Sequence, residues 1–211
     1  MVLKNICRYL HKHKSEGLIY WQTKPLDFLP EVPFKILQAD PILPPFPKYN
    51  LMELVAFVDA AYATNAKTCC SISGYVIVYS GSAIAYKSKL QSTVATSSTK
   101  AEFIATVYTA KAVKHLHSVL NDLGLLSPKA TIIYEDNKAA IDMINESKPT
   151  ARSCHIDVQH FAIQEWRNHG EIEMRHIPGV INPADDKTKT LSWILHSRHS
   201  CWTMGHYGPS N

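Results

Sequence analysis

Seven of the chain's twelve prolines, Pro25, Pro30, Pro33, Pro41, Pro44, Pro45 and Pro47, fall between residues 21 and 50. Each fixes φ and removes a backbone donor, so a segment this dense in proline holds neither a helix nor an interior strand. It reads as an extended connector that divides the 211 residues into a short amino-terminal piece and a folding unit beginning near residue 51. The first piece, residues 1–20, reads as one amphipathic helix with Val2, Leu3, Ile6, Cys7 and Leu10 on one face and Gly17 placed to stop it. The second, ending at residue 191 and followed by a tail over 192–211, is of a size that buries roughly two-thirds of its unfolded surface.

Beyond the connector the periodicity changes. Residues 51–59 (LMELVAFVD) are an apolar strand ending in an acid, and residues 73–79 and 83–89 are two further strands joined by Ser80-Gly81-Ser82. A long helix follows, with Ser97, Ser98 and Thr99 as candidate caps, Ala101, Ile104, Tyr108, Ala112, Leu116, Leu120 and Leu123 at helical spacing, and Gly124 at its end. A strand over 131–134 leads into the helix KAAIDMIN, then come a helix over 155–169, a strand over 171–177 and a short helix over 184–191. Three adjacent strands followed by alternating units imply an α/β fold with a mixed sheet.

Forty-five per cent hydrophobic residues exclude a disordered chain, yet no apolar run approaches the ~20 residues of a membrane helix. The cationic start MVLKNICRYLHKHK lacks the apolar centre of a secretory signal, and five cysteines without a CxxC point to reduced thiols. The expected setting is intracellular, without membrane contact. The net charge of +4 is unevenly spread: between Asp59 and Asp122 the only acid is Glu102, against Lys67, Lys87, Lys89, Lys100, Lys111 and Lys114. A basic half of this kind suits a polyanion, although a solvated lysine face explains the same charges.

Four carboxylates stand at the ends of elements: Asp59 after the first strand, Glu102 in the first turn of the long helix, Asp136 after the fourth strand and Asp185 at the start of the last helix. Thr99-x-x-Glu102 also fits a capping box, Asp136 an N-cap, and Asp185 a favourable partner for a helix dipole. Asp59 has no such alternative. Acids at one edge of an α/β sheet repel one another unless a cation neutralises them. All-oxygen ligands favour Mg²⁺ or Mn²⁺, and a pair of such ions supports in-line phosphodiester hydrolysis.

The stretches FVDAAYA, SISGYVIVYSGSAIAYKSKLQSTVATSSTKAEFIA, EDNKAAI, HID with HFAIQEW, GEIEMRHIP and ADDKTK, in this order, make residues 54–191 similar to the ribonuclease H domain of copia-type retrotransposon Pol polyproteins. Residues 4–20 resemble the end of the reverse transcriptase region that precedes it. The resemblance implies a ribonuclease H-like fold, a five-stranded mixed sheet flanked by helices. It also implies hydrolysis of the RNA strand of an RNA–DNA hybrid with two Mg²⁺ ions, the reverse transcriptase domain of the same polyprotein being the partner. By it Asp59, Glu102, Asp136 and Asp185 are the catalytic, metal-holding acids, Asp59 and Asp136 serving both ions and Glu102 and Asp185 one each. Asp186 remains an alternative to Asp185.

Ala61, Lys100, Phe103, Cys154 and Thr190 depart from the family pattern, and a catalytically silent, nucleic-acid-binding or structural remnant of Pol is the competing reading. Asn137, Ser98, Lys87 and Lys89 are the candidate substrate contacts, the hybrid being told apart by its 2′-hydroxyls and phosphates. His176 is expected on a strand and is given no proton-shuttle role. His196, His199, Cys201 and His206 are spaced for no closed zinc site.

Overall fold

A computed structural model describes residues 17, 18, 20, 46–145 and 157–205. Apart from Gly17, Leu18 and Tyr20, which are not helical, the helix expected over 1–20 lies outside the described residues, as do most of the connector and His155 at the start of the helix expected over 155–169. The chain runs β1 (Val55–Ala61), β2 (Ile72–Tyr79), β3 (Ser82–Leu90), α1 (Ser98–Asp122), β4 (Thr131–Glu135), α2 (Lys138–Asn145), α3 (Asp157–Asn168), β5 (Ile172–His176), two 3-10 turns (Gly179–Ile181 and Pro183–Lys187) and α4 (Trp193–Thr203). The five strands form one sheet in the order β3-β2-β1-β4-β5. The first three pair antiparallel, while β4 lies parallel to both β1 and β5. This is the mixed sheet of an α/β fold that the residue pattern implies, with the five strands and flanking helices that the resemblance implies.

β1 is the centre of the sheet, and all seven of its residues are buried, as expected of a strand covered on both faces. Ala56, Val58 and Ala60 face the three helices α1, α2 and α3, in one core with Ile77, Ile133, Ile172, Phe103, Val113, Ile144 and Ile163. Val55 and Phe57 face the other way, into a second cluster with Val76, Val78, Tyr134, Ile181, Ala184 and Trp202. Phe57 lies between Tyr134, stacked at 5.2 Å, and Trp202, edge-on at 4.9 Å. Phe46 stacks on Trp202 at 4.8 Å. Burying aromatic rings in this way contributes a few kcal/mol each.

Two expectations change. The helix read over 184–191 is a 3-10 turn that ends at Lys187, held by the i→i+3 bond from Thr188 N to Asp185 O. A new helix, α4, then starts at Trp193 under a Ser192 cap. Its hydrophobic residues have no clean helical period, so residues 192–211 read as a tail; burial of Trp202 and His199 shows that α4 packs as part of the folded unit. The first strand also begins later than read and passes Asp59 by two residues.

Candidate metal centre

Asp59 points from β1 into the space between the sheet and the Pro183–Lys187 turn, with its side chain fully buried. Both of its oxygens are engaged: Oδ2 accepts from the Thr188 hydroxyl and Oδ1 lies 2.9 Å from Lys189 Nζ. The same ammonium is 3.1 Å from Asp185 Oδ1. Asp59 and Asp185, 126 positions apart in sequence, thereby share one cation of the chain itself.

Glu102 reaches the same place from α1, and Asp136 from the turn after β4. Ligand oxygens of Asp59, Glu102 and Asp136 all lie within 4.8 Å of one another. The capping alternatives for these acids do not hold. Ser97 is the cap of α1, accepting from Lys100 N at 3.1 Å, so Glu102 lies two residues beyond the box position. Asn137, not Asp136, caps α2, its Oδ1 accepting from Ala140 N at 3.1 Å. Asp185 and Asp186 part company: Asp185 joins Lys189, while Asp186 turns toward α4, 3.2 Å from His196 Nδ1 and 3.5 Å from Ser200 Oγ.

Side chains that the sequence reading did not single out hold this arrangement. The buried Asn182 donates to Val58 O at 2.7 Å and accepts from Ala184 N at 3.1 Å, which ties the turn bearing Asp185 to the strand bearing Asp59. Gly74, the ladder partner of Asp59, allows that turn to lie on the sheet: a Cβ there would come within 2.6 Å of Thr188 Cγ2 and 2.8 Å of Lys187 Cβ. Gly179 leaves room for Asp136 in the same way, since a Cβ would fall 2.8 Å from Asp136 Oδ2. Glu135, fully buried, accepts from Asn137 N at 3.0 Å and from Thr106 Oγ1 at 3.2 Å, adding a fifth carboxylate behind the others. The signals were present in the sequence: the Thr-Lys of ADDKTK and the Glu of YEDN stand beside acids that were noticed.

The electrostatics follow from the crowding. Burial, then the charges of Glu135, Asp59 and Asp136, push the Glu102 carboxyl up to about 10. Burial also raises Glu135 well above the usual carboxylate range. Asp136 is raised by burial and by Asp59. Asp185 is raised to about 7 by burial and Asp59, with Lys189 opposing. Glu102 Oε2 is buried with no hydrogen-bond partner among the described residues, a costly state for a carboxylate oxygen that nothing ligates. An orphaned oxygen, hard donors only and mutually raised proton affinities fit a divalent cation such as Mg²⁺.

Of the candidate substrate contacts, Lys87 and Lys89 are exposed on β3, with Lys89 Nζ 5.2 Å from the centre of the Tyr108 ring. Ser98 is exposed in the first turn of α1, and Asn137 is occupied as a cap. His176 ends β5, exposed, as expected of a strand residue. A cleft of about 620 Å³ at the other end of β1 and β4 is lined by Lys48, Tyr49, Lys129, Glu173 and Arg175 and contains none of the four acids. Two ion pairs lie within it, Lys129 with Glu53 and Arg175 with Glu173.

No protein-family model matches the chain. Over 138 residues, 65% of its length, it is 38% identical to the retrovirus-related Pol polyprotein from transposon TNT 1-94 of Nicotiana tabacum. Over 145 residues, 69% of its length, it is 29% identical to the corresponding polyprotein from transposon RE1 of Arabidopsis thaliana. The chain spans about a tenth of the length of each. Among solved structures, LC11-RNase H1 isolated from compost aligns with 64% of this chain and 92% of its own at a TM-score of 0.49, with 14% identity.

Proposed function

We propose, for a chain related in sequence to the Pol polyproteins of transposons, that it is a divalent-cation-dependent nuclease that hydrolyses the RNA strand of RNA–DNA hybrids. One observation carries the reading: acids from β1, α1 and the end of β4 converge within 4.8 Å, and a fourth, Asp185, joins Asp59 through Lys189. No local structural duty accounts for this convergence.

The resemblance has Asp59 and Asp136 serving both ions. In this reading Asp59 is common to both halves of the site. Glu102 and Asp136, converging with it within 4.8 Å, complete one, and Asp185, joined to it through Lys189, completes the other. Bound Mg²⁺ or Mn²⁺ supplies activation of water and neutralisation of charge on the phosphate and the departing oxygen. The chain's own residues do the positioning. Asn182 and Gly74 set Asp185 against Asp59, Gly179 sets the space for Asp136, and the buried surroundings keep the carboxylates dehydrated, which strengthens their hold on a cation. Lys87, Lys89 and Ser98 are placed in solvent, where phosphates of a duplex can reach them. The substrate arises in reverse transcription, so an intracellular setting and a reverse transcriptase domain in the same polyprotein belong to the proposal, as does the assignment of residues 4–20 to the end of that domain.

The test is incubation of the purified chain with labelled RNA–DNA hybrid and Mg²⁺ beside Asp136→Asn. Cleavage of the RNA strand by the parent alone supports the reading. Salt-sensitive binding without cleavage overturns it in favour of a silent remnant, the alternative that Ala61 and Lys100 motivate.

A further inference from the structure

Lys189 stands between two acids: its Nζ lies 2.9 Å from Asp59 Oδ1 and 3.1 Å from Asp185 Oδ1. Its partners are almost dehydrated, the Asp59 side chain 0% and the Asp185 side chain 14% exposed, whereas its own side chain is 40% exposed. The ammonium therefore closes one side of the cluster from the solvent edge, on a stem with water to move into. Mg²⁺ needs oxygens at about 2.1 Å in near-octahedral array, and would claim the lone pairs that the ammonium now occupies. Two cations also repel strongly at such a separation. Among the described residues its bonds are to Asp59 and Asp185, and its charge reaches Glu102 and Asp136 only from a distance, lowering the proton affinity of each against the larger effect of burial.

We propose that Lys189 is a tethered counter-ion of the Asp59–Asp185 half of the site, and that a divalent cation entering this half displaces its ammonium into solvent. This rests on the reading of the acidic cluster as a divalent-cation site. Lys189 is then a positioning and gating residue: it keeps the two acids together before loading and makes that half the weaker of the two for metal.

The first experiment is calorimetric titration of the full chain with Mn²⁺, without nucleic acid, for the parent and Lys189→Met. The proposal expects the weaker binding event to tighten about tenfold in Lys189→Met, the scale of removing a like charge about 4 Å away in a partly solvated site. Unchanged or weakened Mn²⁺ affinity overturns it. The second uses the unaltered chain and does not depend on a variant folding. Acetylation by acetic anhydride, mapped by mass spectrometry, should rise severalfold at Lys189 on adding Mg²⁺ while the exposed Lys67 stays constant. No rise at Lys189 overturns the proposal.

The two readings fail separately. A chain that cleaves hybrid while Lys189→Met leaves Mn²⁺ affinity unchanged refutes the role of Lys189 alone. A chain that cleaves nothing while Lys189→Met tightens Mn²⁺ supports that role and refutes the nuclease. Absence of Mn²⁺ binding by either protein refutes both.

Discussion

The two halves of the acidic cluster handle the same problem, like charges in a buried space, by opposite means. Asp59 and Asp185 are held by the chain's own cation, Lys189, and by the Thr188 hydroxyl. Glu102, Asp136 and Glu135 are not bonded to that ammonium, which acts on Glu102 and Asp136 only from a distance, and burial raises the proton affinity of each. One half is compensated mainly by a side chain, and in the other Glu102 is raised furthest, to about 10. Filling the first therefore displaces an ammonium, whereas filling the second displaces the proton held by Glu102.

The largest expected effect comes from the residue both halves share. Asp59→Asn keeps the shape but not the charge, and should reduce hybrid cleavage by about 10³-fold or more, as loss of a central electrostatic group does, while abolishing Mn²⁺ binding by calorimetry. Retained binding with a single lost event would show that the halves do not share this residue.

The two glycines separate the halves sterically. Gly74→Ala drives a Cβ into Thr188 and Lys187, and Gly179→Ala drives one toward Asp136 Oδ2. Misplacement of a catalytic group by about 1 Å costs on the order of 10²-fold in rate, so both variants should lose cleavage to about that degree. Gly74→Ala, which also meets the backbone oxygen of Ala184 at 3.2 Å, should in addition destabilise by about 1–3 kcal/mol in denaturant unfolding. Equal stability losses would contradict the difference in what each Cβ meets.

Acidity separates them too. Glu102 binds its proton up to about pH 10 in the native chain, against ~4.3 when unfolded, so the native state holds the extra proton between those values. Stability in EDTA should fall as pH rises through this window. The clearest reading is from pH 7 to 9, above the range in which His117 and His199, lowered by burial, act in the opposite sense. Melting temperature should decline across it, Mg²⁺ should flatten the decline, and Glu102→Gln should reduce it. A flat profile in EDTA would place the proton elsewhere.

The smallest effect is expected of Glu135→Gln. It removes the charge that ranks just behind burial in raising Glu102, yet keeps an oxygen to accept from Asn137 N or Thr106. Cleavage should change by less than about tenfold, while the pH dependence of Mn²⁺ binding shifts toward lower pH.

The sequence carried the architecture because β1, β2 and α1 have strong periodicity, and their partners are named by order along the chain. It pointed to the four acids because each stands at the end of an element, where the family likeness also has its acids. Asp185 could not be told from Asp186 by spacing, since only the path of the 3-10 turn sends one toward Asp59 and the other toward His196. Lys189 and Asn182 escaped notice for a related reason: polar residues in a loop look solvated until a long-range contact is known. α4 was missed because its apolar residues keep no helical period: Trp193 and Ile194 are exposed, while polar Ser197, His199 and Thr203 are buried beside Cys201 and Trp202.

That helix has a practical corollary for anyone trimming the polypeptide. Ending it at residue 191, where the motif likeness stops, would strip Trp202 from Phe57 and take from Phe46 and Tyr49 the ring they pack on. The bare aromatic floor beneath would invite clumping. The recognisable motifs thus mark out less polypeptide than the fold needs to stay soluble.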